Sequence, residues 1–550
     1  MRSRTGGLDA VGRRWTRHDA APAPDARWTA SGPADPTMTP STDSFERAWV
    51  RLTARLREIH LLDAAQDLLA WDREVYMPAR GIAQRAEALA LLARLSHERF
   101  VAPALADELG TCHALADTLA PEDTRRDELR ELARRHARRQ KLPVSLVAEA
   151  AHVEAMAQSA WATARAANDF ASFAPWLARV FELARAKAEA FGKPRDGELW
   201  DALVEDYEPG ASARQLRALF GELVPRQSAL VRRLVAAERR PDDAARRVAV
   251  PLAAQEALAR EVASALGFDF ERGRLDRSAH PFTSGTHADD VRITTRYSES
   301  DLFDALYSTI HEVGHGLYEQ GLPAARAGMP AGQAASLGIH ESQSRLWENH
   351  VGRSRGFWEW CAPRLRHHAG SRDARHDAGA LARAAWRVQP SLIRVDADEA
   401  TYDLHVAVRF SIEVELLEGR LPIDALPTRW NAAYREILGV EVQDDRRGCL
   451  QDVHWSAGLI GYFPTYTLGN LAAAQLMVAA RRELGDLDSA FGRGEFRPLL
   501  EWLWRHIHAH GAVRSPQRLI RDATGAPLGT AAFLEHLESR LLPAHGLART

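Results

Sequence analysis

A chain of 550 residues, 46% hydrophobic and 26% charged, can bury a large core, and its length alone allows two to four domains. Its formal net charge of −3 argues against a nucleic-acid or membrane-surface partner held by bulk basic charge. No run approaches the roughly 18 apolar residues of a membrane span, and three scattered cysteines, Cys112, Cys361 and Cys449, form neither a disulfide framework nor a cysteine-rich metal pattern. With no apolar leader at the N-terminus, the composition predicts a cytoplasmic protein with no membrane and no nucleic-acid partner.

Residues 1 to about 40 are rich in Arg, Ala, Pro and Asp without periodicity, which predicts a disordered extension. From there the pattern is helical. Phe45, Trp49, Leu52, Leu56 and Ile59 recur at helical spacing, with Asp43 and Glu46 placed as a capping box. Similar stripes predict helices through 82–120, 122–140, 145–191, 212–238 and 252–266. Alternation of period two is scarce and clearest over Asp290–Tyr297, where 290, 292 and 294 would share one face of a strand. No long linker and no solenoid-period repeat interrupts the chain, so residues 41–550 read as one mainly helical unit.

Ser298–Gly321 has the marks of a complete helix: Glu299 and Asp301 in its first turn and Gly321-Leu322-Pro323 as its stop. Inside it lies His311-Glu312-Val313-Gly314-His315. Histidines four apart fall on one face one turn apart, so both imidazoles can reach one ion. Glu312 projects beside them, where it can take a proton from an activated water without ligating. An accidental HExxH is the competing reading. Against it stand the mid-helix position, the apolar opposite face and a candidate third ligand, Glu341, 26 residues beyond His315. Two His and one Glu would leave a zinc position open for water, as a hydrolase needs. Glu341 as a solvated helix charge, or His340 as the ligand in its place, are the alternatives at this point.

Further motifs stand in order around this one. Trp71-Asp72 and Tyr76-Met77-Pro78 come first, then His280-Pro281-Phe282, then Asp290, Arg292 and Thr294. His340-Glu341-Ser342-Gln343 follows the HExxH, then Ile393, Arg394, Ala397 and Asp398, and last Gly448, Gln451, Asp452, His454 and Trp455. In this series the chain resembles the Taq-type metallocarboxypeptidases across most of its length. The resemblance implies a mainly α, gluzincin-like fold: a single helical catalytic domain with a deep groove and a small β-sheet near the metal. It also implies zinc on His311, His315 and Glu341, a homodimer, and release of C-terminal residues from peptides with broad specificity, proline disfavoured. Co2+ or Mn2+ could substitute, since His/Glu ligation tolerates several divalent ions.

Peptide hydrolysis also needs a donor for the developing oxyanion, and His454, Tyr462 and Tyr466 cluster beside Gly458, Gly461 and Pro464 as candidates. A packed aromatic loop is the alternative for the tyrosines; Tyr466 is the catalytic candidate and Tyr462 the substrate-binding one. An exopeptidase must grip a free carboxylate, which arginine matches with a planar fork. Arg394 is the first choice, against a structural salt bridge to Asp396 or Asp398. Arg292 is the second, on a strand that could pair with an extended peptide, unless Asp290 neutralises it. His280 could line the groove or be a buried, satisfied histidine, and Cys449 reads as a small buried thiol. Two rival functions remain: a helical zinc endo- or oligopeptidase, and a catalytically silent zinc-containing binding protein.

Overall fold

In the computed structural model, which describes residues 42–549, the first apolar stripe does bury one face of a helix, Thr42–Val75, with Phe45, Trp49, Leu52, Leu56 and Ile59 all inside. Because the helix already includes Thr42, Asp43 sits within its first turn and complements the dipole rather than capping it. The expected disorder of residues 1 to about 40 lies outside the described residues. Two long stripes turn out to be broken helices. The first splits into Ile82–Phe100 and Pro103–Leu115, because Ala102 is extended ahead of a proline that opens the second helix. The second splits into Val144–Ala167 and Phe170–Phe191 at Asn168, whose φ of 56° is left-handed, after which the Asp169 side chain accepts from Ser172 N.

The sheet holds three short strands, β1 (Gly273–Arg277), β2 (Thr283–His287) and β3 (Asp290–Thr295), in the order β1-β3-β2. β1 runs parallel to β3 and β2 antiparallel to it. β3 buries Val291 and Ile293, in the same apolar cluster as the HExxH helix. Both edges of β3 are therefore paired, which corrects the expectation that the strand bearing Arg292 could pair with an extended peptide.

Two large apolar clusters make up most of the interior. One gathers Phe170–Phe191, Ala213–Ala236 and the helix Tyr402–Leu417. The other gathers Leu252–Leu266, the sheet, the HExxH helix and Arg355–Ala369. The helix Pro464–Leu484 belongs to both, giving Leu468, Leu471 and Ala474 to the first and Ala472, Ala473, Leu476 and Met477 to the second. A candidate active site opens along this seam. No helix of the described residues is long and apolar enough to cross a membrane.

Candidate functional site

The HExxH helix spans Leu302–Gly321 and begins later than its sequence suggested: the Asp301 side chain caps it by accepting from Phe303 N at 3.0 Å, leaving Glu299 outside. His311 and His315 emerge one turn apart. Glu341 reaches them from a short helix, Leu337–Arg345, whose cap is the Ser336 hydroxyl bonded to Ile339 N. Two glycines permit this approach. A Cβ on Gly314 would lie 2.6 Å from Ser344 Cα, and one on Gly469 would lie 2.6 Å from Glu341 Cγ. At Gly314 backbone meets backbone, and at Gly469 backbone meets the stem of Glu341, so neither point leaves room for a side chain.

Glu341 Oε2 stands 3.7 Å from His311 Nε2 and 3.4 Å from His315 Nε2. Donors on a tetrahedral zinc, with bonds of about 2.0–2.2 Å, sit roughly 3.3 Å apart, so the three residues fit such an ion with little movement. Each imidazole is anchored through its other nitrogen: His311 Nδ1 lies 3.0 Å from Glu348 Oε2, and His315 Nδ1 lies 3.1 Å from the His340 carbonyl oxygen. These bonds leave both Nε2 atoms facing Glu341, the arrangement common to metal-ligating histidines. The His340 ring is instead bonded to Glu319 at 2.7 Å and stands outside the convergent set.

Burial alone would raise Glu341, but Arg345, with Nε 2.7 Å from Oε1, and the two histidines hold it far below the usual carboxylate range. Burial would likewise raise Glu348, and His311, Arg353 and Arg345 hold it down. Burial and the neighbouring His340 push His315 down to about 3, so its imidazole is neutral and free to donate a lone pair. Glu312 moves the other way. Burial raises it, with partial relief from His311 and from the Thr283 hydroxyl, which donates to Oε2 at 2.7 Å.

A cavity of about 470 Å³ opens on His311 and Glu312, with Pro281, Arg345, Tyr402 and Arg394 among its walls. Arg394 is buried, and its expected alternatives Asp396 and Asp398 are not its partners. Its Nε and Nη2 donate to Asp452 Oδ1 at 3.0 and 2.9 Å, and Nη1 donates to the Tyr402 hydroxyl at 2.8 Å. Asp452 is shared with Arg409. A guanidinium has five N–H bonds, so two remain on Arg394. Arg292, by contrast, is neutralised by Asp290 at 2.9 and 3.0 Å and stacked over Trp71, away from the cavity. His280 is exposed: it is neither a cavity wall, a place its neighbour Pro281 takes, nor a buried histidine.

The remaining candidates form one aromatic group. His454 Nε2 lies 3.1 Å from the Tyr466 hydroxyl, and the Tyr462 ring packs on His454, Tyr466 and Tyr207 at 5.4 Å each. Burial and Arg394 push His454 down to about 3, while burial raises Tyr466 well above its ordinary value, so both are neutral hydrogen-bonding groups. Cys449 is buried and its thiol is raised by burial, as expected of a core residue. Sequence reasoning missed Thr283, Arg345, Glu348, Arg353 and Tyr402. Arg345 and Glu348 were detectable, since 341, 345 and 348 fall on one helical face.

A helical fold carrying an HExxH pair, a downstream glutamate and a glutamate beside them defines a metallopeptidase. Comparison with known proteins narrows this. The family model described as Carboxypeptidase Taq (M32) metallopeptidase matches residues 51–541. Thermostable carboxypeptidase 1 of Thermus thermophilus is 43% identical over 92% of this chain and all of that protein. Carboxypeptidase 1 of Bacillus subtilis is 34% identical over 88% of this chain and 96% of that one. The crystal structure of the M32 carboxypeptidase from Deinococcus radiodurans R1 superposes with a TM-score of 0.88, covering 91% of this chain and all of that one at 37% identity. The chain belongs to the Taq carboxypeptidase family, and is a metal-dependent peptide-bond hydrolase.

Proposed function

We propose that this chain is a zinc carboxypeptidase that removes single residues from the free C-terminus of peptides, with His311, His315 and Glu341 as ligands and Glu312 as general base. The observation that carries the reading is the convergence of two anchored imidazoles and one carboxylate beside Glu312, on a cavity whose wall offers an arginine with donors to spare. A divalent ion held there would polarise the scissile carbonyl and bring the pKa of a water to about 7.

The chain's own groups supply the rest. Thr283 fixes Glu312 Oε2, leaving Oε1 to accept the proton of the attacking water and pass it to the departing amine nitrogen. The two remaining N–H bonds of Arg394 suit a substrate carboxylate, while Asp452 and Tyr402 hold the guanidinium flat for it. The Tyr466 hydroxyl, oriented by neutral His454, is the donor for the carbonyl oxygen as negative charge develops, and Tyr462 packs beside it against the substrate. Broad specificity with proline disfavoured, a homodimeric assembly and a cytoplasmic location rest on the family resemblance and the composition.

The test is release of C-terminal residues from a short unblocked peptide by wild type and Glu312→Gln, with metal measured on both. We expect stepwise release by wild type and a loss of about 10²–10⁴-fold in the metal-loaded variant, the range a positioned general base supplies. Equal activity in the two would remove Glu312 from the mechanism. Cleavage of an acetylated, amidated peptide as fast as the free one would favour an endopeptidase and remove Arg394 from carboxylate recognition.

A further inference from the structure

Two cavities outside the catalytic one are rich in arginine, and they differ in how its charge is met. The first, of about 530 Å³, has Arg134, Arg135 and Arg138 in its wall, paired with Glu131, Glu205 and Asp206. The second, of about 460 Å³, has Arg239, Arg355, Arg383, Arg481 and Arg540 in its wall against one carboxylate, Asp488. We propose that this second cavity is a binding site for a small phosphate-bearing anion, held by the arginines that have no carboxylate of their own.

The five guanidinium groups come from separate segments. Arg239 follows the helix Ala213–Ala236, Arg355 opens Arg355–Ala369, and Arg383 lies on Ala378–Ala385. Arg481 lies on Pro464–Leu484 and Arg540 on Ala531–Ala544. No basic run in the sequence brings them together; the fold does. Part of their charge is met nearby, since Arg355 pairs with Glu359 and Arg540 with Glu399, while Asp488 stands 4.0 Å from Arg481. Arg239 and Arg383 have no carboxylate partner among the described residues. The Arg540 Nε is buried with no hydrogen-bond partner. Two positive charges thus remain over, and a phosphate monoester carries about 1.5 to 2 negative charges at neutral pH.

Two histidines in the same wall register the excess. Burial acts first on both; His536, Arg540 and Arg481 then help to hold His350 well below its ordinary value, and Arg481 helps to push His536 down to about 3. Both rings are neutral. They lie face to face with centres 3.8 Å apart, too close to turn their lone pairs on one cation. Arginines converging from several directions suit a tetrahedral group with oxygens on every side, whereas a carboxylate fills a single fork. The cavity is larger than a phosphate group, and Trp386, Pro543 and Ala544 give it apolar surface for an organic body. It shares no lining residue with the catalytic cavity, so its occupant is independent of the metal.

The experiment is isothermal titration of the full chain, metal-free and metal-loaded, with inorganic pyrophosphate and with ADP. We expect saturable binding to the metal-free chain that is kept in the metal-loaded one and weakens as salt is raised. Arg239→Gln/Arg383→Gln should weaken it about tenfold or more, with circular dichroism verifying the fold. Arg481→Gln, on a different helix of the wall, is a second probe and should act in the same direction. ADP binding more tightly than pyrophosphate assigns the site to a phosphate ester held also by its organic part; equal affinities assign it to the free phosphoanion. Absence of saturable binding by either probe would overturn the proposal. So would binding that requires the metal, or binding that is unchanged in both arginine variants.

Discussion

Gly469→Ala adds one methyl group to the helix Pro464–Leu484, at a residue that offers no ligand atom of its own, and should nonetheless weaken metal binding at the proposed site. The new Cβ would fall 2.6 Å from Glu341 Cγ, 2.7 Å from its Cβ and 3.1 Å from its backbone carbon. That is roughly 1 Å inside ordinary carbon–carbon contact. The atoms to be moved are the stem of the ligand itself, so the helices separate or the carboxylate swings. Overpacking of this kind costs about 1–3 kcal/mol, offset by up to about 1 kcal/mol for replacing glycine inside a helix. Metal affinity has no such offset. We expect it to fall by at least the 10–100-fold that losing one supporting partner commonly costs. Competition with a chelator of known affinity gives the metal Kd, and melting in excess chelator gives the stability of the metal-free chain. Gly221→Ala is the control, since its added Cβ meets nothing within 4 Å. Wild-type affinity in Gly469→Ala with an intact melt would refute the claim that this contact sets the position of Glu341.

Glu348→Gln removes the charge behind His311 Nδ1 while keeping the side-chain shape; metal affinity should drop about 10–100-fold in the same competition titration, with the fold intact. Tyr466→Phe should lower kcat about 10²–10³-fold with KM little changed, as for loss of one oxyanion donor, and steady-state kinetics on an unblocked peptide will show it. Asp403 is buried, accepts from Asn470 Nδ2 at 3.0 Å, and is pushed by burial up to about 6. A carboxyl whose folded pKa lies above its unfolded value favours the folded state at low pH. That stability is lost as pH rises from about 4 through 6. Asp403→Asn should therefore be nearly neutral at pH 4 and stabilising at pH 8, by up to about 3 kcal/mol, in denaturant titrations at the two values.

What the sequence disclosed follows the range of the interactions concerned. The two imidazoles of HExxH and their neighbouring glutamate are positioned by a single helix, so spacing alone places them. Glu341 was marked by chemistry and by the ordered motifs, and geometry adds the reason for its position: two glycines, at 314 and 469, that give its helix and its side-chain stem room to approach. Helix breaks were harder. At Asn168 the apolar stripe continues on the next helix against the same core, and only the local backbone departs; at Ala102 the helix before the break buries no residue, so its stripe carried no information about packing. Pairings between distant segments were invisible. Arg394 meets Asp452 and not the nearby Asp396 or Asp398, and Thr283 reaches Glu312 because β2 packs across the helix. The exposure of His280 and the pairing of Arg292 with Asp290 likewise depend on how the sheet is ordered, which one strand-like stretch does not reveal.

The seam along the Pro464–Leu484 helix divides the chemistry as well as the core. The HExxH helix and the base of the Glu341 helix pack into one apolar cluster, whereas Tyr402, Tyr466, and the Trp455 and Phe463 beside His454 pack into the other. With the ligands and donors proposed above, capture of an ion would draw on one half of the interior, and turnover on both. A molecule whose halves slip slightly against each other would stay fully metallated and yet be idle. Metal content and catalytic competence are, for this architecture, independent readings of the same molecule, and their ratio would measure how well the two halves are seated.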